Sequence, residues 1–270
     1  MKKKPVKHHK NKQEIVKDMK KKKARKELKT LLQDVYHQHV NLETTMSCKC
    51  ICCKVAMPQM NYCEFMQIIS DIWTKYGRDA KIQLIVNSVK YFFYYDFKKF
   101  GMKSLIKPCL LLKQDGLCDI YENRPLSCRM FGLWPDEIYN ERVERFAKNY
   151  EEFGLTKEDL PLFSQCKKVK RVDDSIALDE KMIENLYGML DNIDASVSSF
   201  SNVQIKHKEN YRAFHDWLLL KIFGEAWLSS LTDFIMVSEP NVIEDQYVAM
   251  EQALNDVFKS SKMMDIGDRL

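Results

Sequence analysis

The chain concentrates its cysteines, and thiols gathered this densely limit what the surrounding segments can fold into. Seven of the nine cysteines fall in two stretches, at Cys48, Cys50, Cys52 and Cys53 and then at Cys109, Cys118 and Cys128. An odd number of cysteines fits poorly with a protein in which every cysteine is paired in a disulfide. The pattern therefore predicts a segment organised around metal binding or redox chemistry.

The distribution of charge predicts the compartment in which these thiols act. Residues 1–29 carry thirteen lysines and one arginine against three acidic residues, whereas the remainder has more acidic than basic side chains. The basic stretch lacks the apolar core of a secretory signal and the Arg- and Ser-rich composition of a transit peptide. We therefore expect a cytoplasmic protein, in which thiols stay reduced and clustered cysteines favour metal binding. No apolar run approaches the length of a membrane span.

Hydrophobic spacing predicts a mainly α fold with a small β-hairpin. Together with the cysteines, it predicts a cysteine-rich metal-binding domain with helical extensions. Residues 1–29 are predicted to form a disordered basic tail, residues 30–170 the cysteine-cluster domain and residues 171–270 a helical C-terminal region. Apolar residues at helical spacing predict helices from Leu28, from Tyr62 to a cap at Gly77, and from Asp79 to about Lys98. Further helices are predicted over 137–153, 179–190, 207–223 and 242–258, with a polar linker at 196–202.

A hairpin is predicted between the cysteines of the second stretch. Two short apolar runs, 110–113 and 117–121, flank Asp115 and Gly116, a pair that suits a turn with positive φ. The aromatic run 91–95 is interpreted as core packing at a helix end rather than as a ligand-stacking surface. Cys63, on an apolar helix face, is interpreted as a buried core thiol.

The candidate metal ligands are all thiols. Cys50 and Cys53 have the two-residue spacing that presents both sulfurs to one ion. An all-cysteine set of more than four exceeds what one tetrahedral zinc needs, which favours an iron–sulfur cluster over a zinc ion without excluding zinc. The full candidate set is Cys48, Cys50, Cys52, Cys53, Cys109, Cys118, Cys128 and Cys166. His37 and His39 point in different directions on a helix and are expected at the surface.

The second stretch also carries a specific family resemblance. It contains Pro108-Cys109 before three leucines, Asp115-Gly116, Cys118-Asp119-Ile120-Tyr121, Arg124-Pro125 and Cys128-Arg129. Together with Glu64 opening a helix after a dense thiol cluster, this resembles the YkgJ-type cysteine-cluster family, described as a zinc- or iron-chelating domain. The resemblance covers roughly residues 46–170 and implies metal chelation. Cys166 stands where many such proteins carry a late cysteine.

The chain departs from the family pattern in two places. The first cluster is compressed to Cys-x-Cys-x-Cys-Cys from the CxxCxxCC signature, and Pro108 precedes Cys109 where the family has proline after it. The compression leaves the ligands within residues 48–53 open. Arg124 and Arg129 flank the predicted site, where they either offset thiolate charge or cap turns and pair with Glu122 and Asp119.

Three functions follow as hypotheses. The first is a cysteine-ligated metal-binding protein that holds an iron–sulfur cluster or zinc, with a redox-related role as one option. The second is a protein lysine methylase of the flagellin-methylase type, which would need S-adenosylmethionine, although the chain has eight glycines and no glycine-rich cofactor loop. The third is nucleic-acid binding through the basic tail. The sequence leaves a protein partner, the substrate and the catalytic residues open.

Overall fold

The computed structural model describes residues 12–38, 52–54, 57–95, 100, 108–131, 136–148, 151, 154, 179–198 and 211–259. This part of the chain is mainly helical with a small antiparallel β pair, which confirms the predicted fold class. Its helices are α1 (Lys12–His37), α2 (Tyr62–Lys75), α3 (Arg78–Tyr95), α4 (Leu126–Met130), α5 (Asp136–Lys148), α6 (Glu180–Ser198), α7 (Phe214–Phe223), α8 (Glu225–Val237) and α9 (Pro240–Lys259). None of the helices in these ranges is long and apolar enough to cross a membrane.

The β pair joins two segments that are distant in sequence. Strand β1 (Gln59–Asn61) runs antiparallel to β2 (Tyr211–Ala213), with Met60 opposite Arg212. The indole Nε1 of Trp217 donates a hydrogen bond to the Met60 carbonyl at 2.9 Å. Helix α7 is thereby fixed beside the start of α2.

The larger apolar cluster combines helices from both sides of the domain boundary predicted at residue 170. It contains side chains from α2, α3, α7, α8 and α9, and Phe65, Phe93, Phe214 and Trp217 are almost fully buried within it. The rings of Phe65 and Phe214 lie 5.6 Å apart. The C-terminal helices thus complete the core around α2 and α3. The aromatic run of α3 contributes Phe92 and Phe93 to this core. This agrees with the prediction that the run packs in the core.

The smaller cluster attaches α1 to the body. Leu32 and Val35 of α1 pack with α2, α4 and α6, and Cys63 is a fully buried member of this cluster. The thiol of Cys63 donates to the Leu190 carbonyl at 3.8 Å, and its burial raises its pKa well above the ordinary value. The prediction that Cys63 is a core thiol is confirmed.

Several elements differ from the sequence predictions. Helix α1 begins at Lys12, within the segment predicted to be disordered, because Lys, Glu and Ala are good helix formers once the C-terminal end of the helix is packed. Helix α6 continues to Ser198, into the predicted linker. Helix α8 has no counterpart among the predictions. It follows Gly224, whose φ of 87° ends α7 and lets the chain turn at once into a new helix.

Gly77 does not act as the predicted left-handed cap. Helix α2 ends with Tyr76 in an extended conformation, and the Tyr76 N–H donates to the Ile72 carbonyl at 2.8 Å. Gly77 is not among the described glycines with positive φ. Since α3 begins at Arg78, the two helices are joined without a left-handed residue.

Candidate metal centre

The predicted hairpin is present between Cys109 and Asp119. The Lys113 N–H donates to the Leu117 carbonyl at 2.8 Å, and the Asp119 N–H donates to the Leu111 carbonyl at 2.9 Å. Leu112 and Cys118 form an antiparallel bridge. Gly116 has a φ of 78° at the turn, which confirms the conformation that the Asp-Gly pair predicts.

The hairpin brings thiol-bearing residues close to the first cysteine cluster. Cys53 lies in a 3₁₀ turn (Cys52–Lys54), and its carbonyl accepts the Cys109 N–H at 2.6 Å. Cys109 is buried in the larger apolar cluster, and the half-buried side chains of Cys53 and Cys118 pack against that same cluster. Three predicted ligands therefore lie on backbone segments held together by hydrogen bonds.

Cys128 lies on a different element. It is a half-buried residue of α4, whose first turn closes through the Cys128 N–H and the Pro125 carbonyl at 2.9 Å. The neighbouring Ser127 hydroxyl donates to the Gln59 carbonyl at 2.6 Å, which ties α4 to β1. The Arg-Pro sequence thus sets the start of the helix that carries Cys128.

The remaining candidates fall outside what the structure describes. Cys48, Cys50 and Cys166 lie outside the described residues, and so does the side chain of Cys52. Among the residues that are described, no group of three or more His, Cys, Asp or Glu side chains is arranged to hold a metal ion. His37 is described and exposed, as predicted for a surface histidine, while His39 lies outside the described ranges.

Both arginines near the predicted site stack on tyrosine rings, and Arg129 also stabilises a turn. Arg129 donates from Nε to the Arg124 carbonyl at 2.8 Å, and its guanidinium lies 4.2 Å from the centre of the Tyr36 ring. Arg124 stacks on Tyr121 at 3.8 Å. Of the two predicted roles, turn capping is therefore observed for Arg129. Asp119 pairs instead with Lys75 and Tyr76 of α2.

A buried carboxylate holds the segment containing Cys128 to the helices around it. Glu64 is 1% exposed, and its two oxygens accept hydrogen bonds from the Tyr36 hydroxyl at 2.8 Å, the Asn61 N–H at 3.1 Å and the Leu126 N–H at 2.6 Å. One side chain thus connects α1, β1, α2 and α4. Burial raises the pKa of Glu64 to about 7, against the lowering effect of these hydrogen bonds.

The position of Glu64 at a helix start is evident from the sequence, but two of its three hydrogen bonds to other elements are not. The spacing of Asn61 and Glu64 is that of a capping box, in which a residue at the third helical position accepts the N–H of the capping residue. That local signal predicts one of the three hydrogen bonds. The bonds from Tyr36 and Leu126 depend on tertiary packing.

Asp194 is a second buried carboxylate, and no sequence pattern singles it out. It reaches from α6 to the start of α2, where it accepts the Cys63 N–H at 2.6 Å and the Asn61 side-chain amide at 3.1 Å. The first N–H groups of a helix lack partners within it, and a carboxylate there satisfies them and interacts favourably with the helix dipole. Burial nevertheless raises the pKa of Asp194.

A polar cleft of about 220 Å³ opens beside Glu64, between α1, α2 and the segment leading into α4. Tyr36, Glu64, Gln67 and Arg129 line its inner part, and Lys29 and Glu122 lie at its exposed rim. The cleft contains side chains of both charges.

Comparison with known proteins identifies no relative of this chain. No protein-family model, curated protein or solved structure matches it significantly.

Proposed function

We propose that this chain is a metal-binding protein whose centre, an iron–sulfur cluster or a zinc ion, is ligated by cysteine thiolates. The observation that carries the proposal is the hydrogen bond from the Cys109 N–H to the Cys53 carbonyl at 2.6 Å. It ties the last residue of the first cysteine cluster to the base of the hairpin. Backbone segments whose cysteines lie more than fifty residues apart in sequence are thereby held next to each other.

The chemistry of the described residues fits such a centre. Thiolates are the ligands that zinc and iron–sulfur clusters share. Cys53, Cys109 and Cys118 are packed on apolar side chains, and an apolar shell limits the access of water to a metal site. These three would hold the metal with thiols from Cys48, Cys50, Cys52, Cys128 and Cys166.

The size of the candidate set favours an iron–sulfur cluster over a single zinc ion. Adjacent thiols such as those of Cys52 and Cys53 chelate one ion poorly, whereas they can bind different irons of a cluster. A bound cluster would supply electron transfer, and a bound zinc ion would supply structural stability. The resemblance to the YkgJ-type family supports metal chelation with either metal.

Serine substitutions of the cysteines test this proposal. We expect Cys109→Ser and Cys118→Ser to reduce the metal content per chain to less than about a tenth of the wild-type value, because serine is a poor ligand for soft metals. Metal is measured by elemental analysis of the folded protein after gel filtration. Cys128→Ser is expected to lower the content as well.

Cys63→Ser is the matched control. Cys63 is a buried thiol with its own hydrogen bond to Leu190, so its loss affects packing and should leave the metal content of the folded fraction unchanged. Wild-type metal content in the Cys109, Cys118 and Cys128 variants alike would show that the ligands are assigned incorrectly.

A further inference from the structure

The exposed part of helix α1 carries a high density of positive charge. The described side chains of Lys20, Lys22, Lys23, Arg25, Lys26 and Lys29 are all exposed. The only acidic residue between positions 20 and 30 is Glu27, which pairs with Lys23 at 3.7 Å. An exposed ion pair of this kind contributes little to stability and is easily exchanged, so most of the positive charge is available to a partner.

The helix is anchored at one end. Leu32 and Val35 are 2% and 1% exposed in the smaller apolar cluster, and Tyr36 is held by Glu64. The described residues from Lys22 to Glu27 are exposed throughout. The basic part of α1 is therefore a helical extension that the packed end holds in a defined direction.

We propose that this basic extension of α1 binds duplex DNA through phosphate contacts, without reading base sequence. A helix with its side chains is about 10–12 Å across, and the major groove of B-DNA is about 12 Å wide. Five of the six exposed basic side chains are lysines, which bind phosphate as point charges, and residues 20–30 include no asparagine or glutamine to read adenine. The contacts therefore position the protein without specifying sequence.

The same observations argue against a membrane surface as the partner. A helix that lies on a membrane needs an apolar face beside its charged one. Residues 20–27, the basic part of α1, include no apolar side chain larger than that of Ala24, and Leu32 and Val35 are packed against α2, α4 and α6. Duplex RNA is also a poorer fit, since its major groove is too narrow for a helix.

The test compares two double variants of the full chain. Lys22 and Lys26 lie four residues apart on one face of α1, and the proposal requires K22Q/K26Q to weaken binding to a duplex DNA of arbitrary sequence. The expected loss is on the order of tenfold or more at about 0.1 M salt. The slope of log K against log salt should become shallower by about 1.8, because each phosphate contact contributes about 0.9.

The matched control is K90Q/K148Q, which removes two exposed lysines from α3 and α5 and should bind as the wild type does. Glutamine preserves helix propensity, so circular dichroism should be unchanged in both variants. Equal affinity of K22Q/K26Q and wild type would overturn the proposal. So would tighter binding to duplex RNA, or to anionic lipid vesicles, than to DNA.

Discussion

The free energy of unfolding is expected to fall by about 3 kcal/mol as the pH rises from about 4.5 to above 7, and Glu64 is the cause. Burial raises the pKa of Glu64 from its ordinary value of 4.5 to about 7. Between these values the folded protein keeps a proton that the unfolded chain has lost. Stability is therefore lost as the pH rises through this window, at about 1.4 kcal/mol for each pKa unit.

Glu64→Gln should remove most of this pH dependence, because glutamine does not titrate. The variant should also be less stable at low pH, since an amide side chain at this position cannot accept from all three donors that Glu64 serves. Urea unfolding at several pH values measures both effects. The buried Asp194, whose pKa is also raised, leaves a residual dependence of the same sign.

Glu122→Gln is the matched control for this prediction. Glu122 lies at the rim of the same cleft but is exposed, so its replacement should leave the slope of stability against pH as it is in the wild type. Identical slopes in Glu64→Gln and wild type would refute the assignment of the raised pKa to Glu64.

Removal of the metal should lower the melting temperature by roughly 10 °C. Binding energy at a thiolate centre is also folding energy, and a loss of about 3 kcal/mol corresponds to a shift of this size in a chain of this length. The hairpin should be affected first, because Leu112 and Cys118 form only an isolated bridge there. Thermal unfolding with and without a strong chelator provides the measurement.

Two variants make the chelator experiment specific. Cys118→Ser should already melt at the lower temperature and should not respond to the chelator, whereas Cys63→Ser should respond as strongly as the wild type. Readdition of zinc alone should restore a zinc site, while a cluster needs iron and sulfide. A wild-type melting temperature that the chelator does not change would contradict a stabilising metal.

The local elements of the fold could be predicted from the sequence because their signals are local. The apolar spacing of Phe65, Ile69 and Ile72 defines the buried face of α2, and all three are in the core. Asp115-Gly116 predicts its turn because the glycine supplies a positive φ that other residues rarely adopt. The same reasoning found Cys63 in the core, since it lies on an apolar helix face.

The connections between elements could not be predicted in this way. The pairing of β1 with β2 and the capping of α2 by Asp194 join residues more than a hundred positions apart. Periodic patterns in the sequence do not predict such contacts. Charge repulsion among lysines predicts disorder at the start of α1, whereas the anchor supplied by Leu32, Val35 and Tyr36 depends on helices that follow much later. The ligand set stays a prediction, because the side chains of half of its thiols lie outside the described residues.

Whether the cysteines bind a metal is tested by the metal content of wild-type protein purified without oxygen, measured together with its absorption spectrum. We expect a stoichiometric transition metal: iron with a broad absorption band near roughly 400 nm for a cluster, or zinc in colourless protein. Freshly purified, folded protein that contains neither iron nor zinc would contradict it.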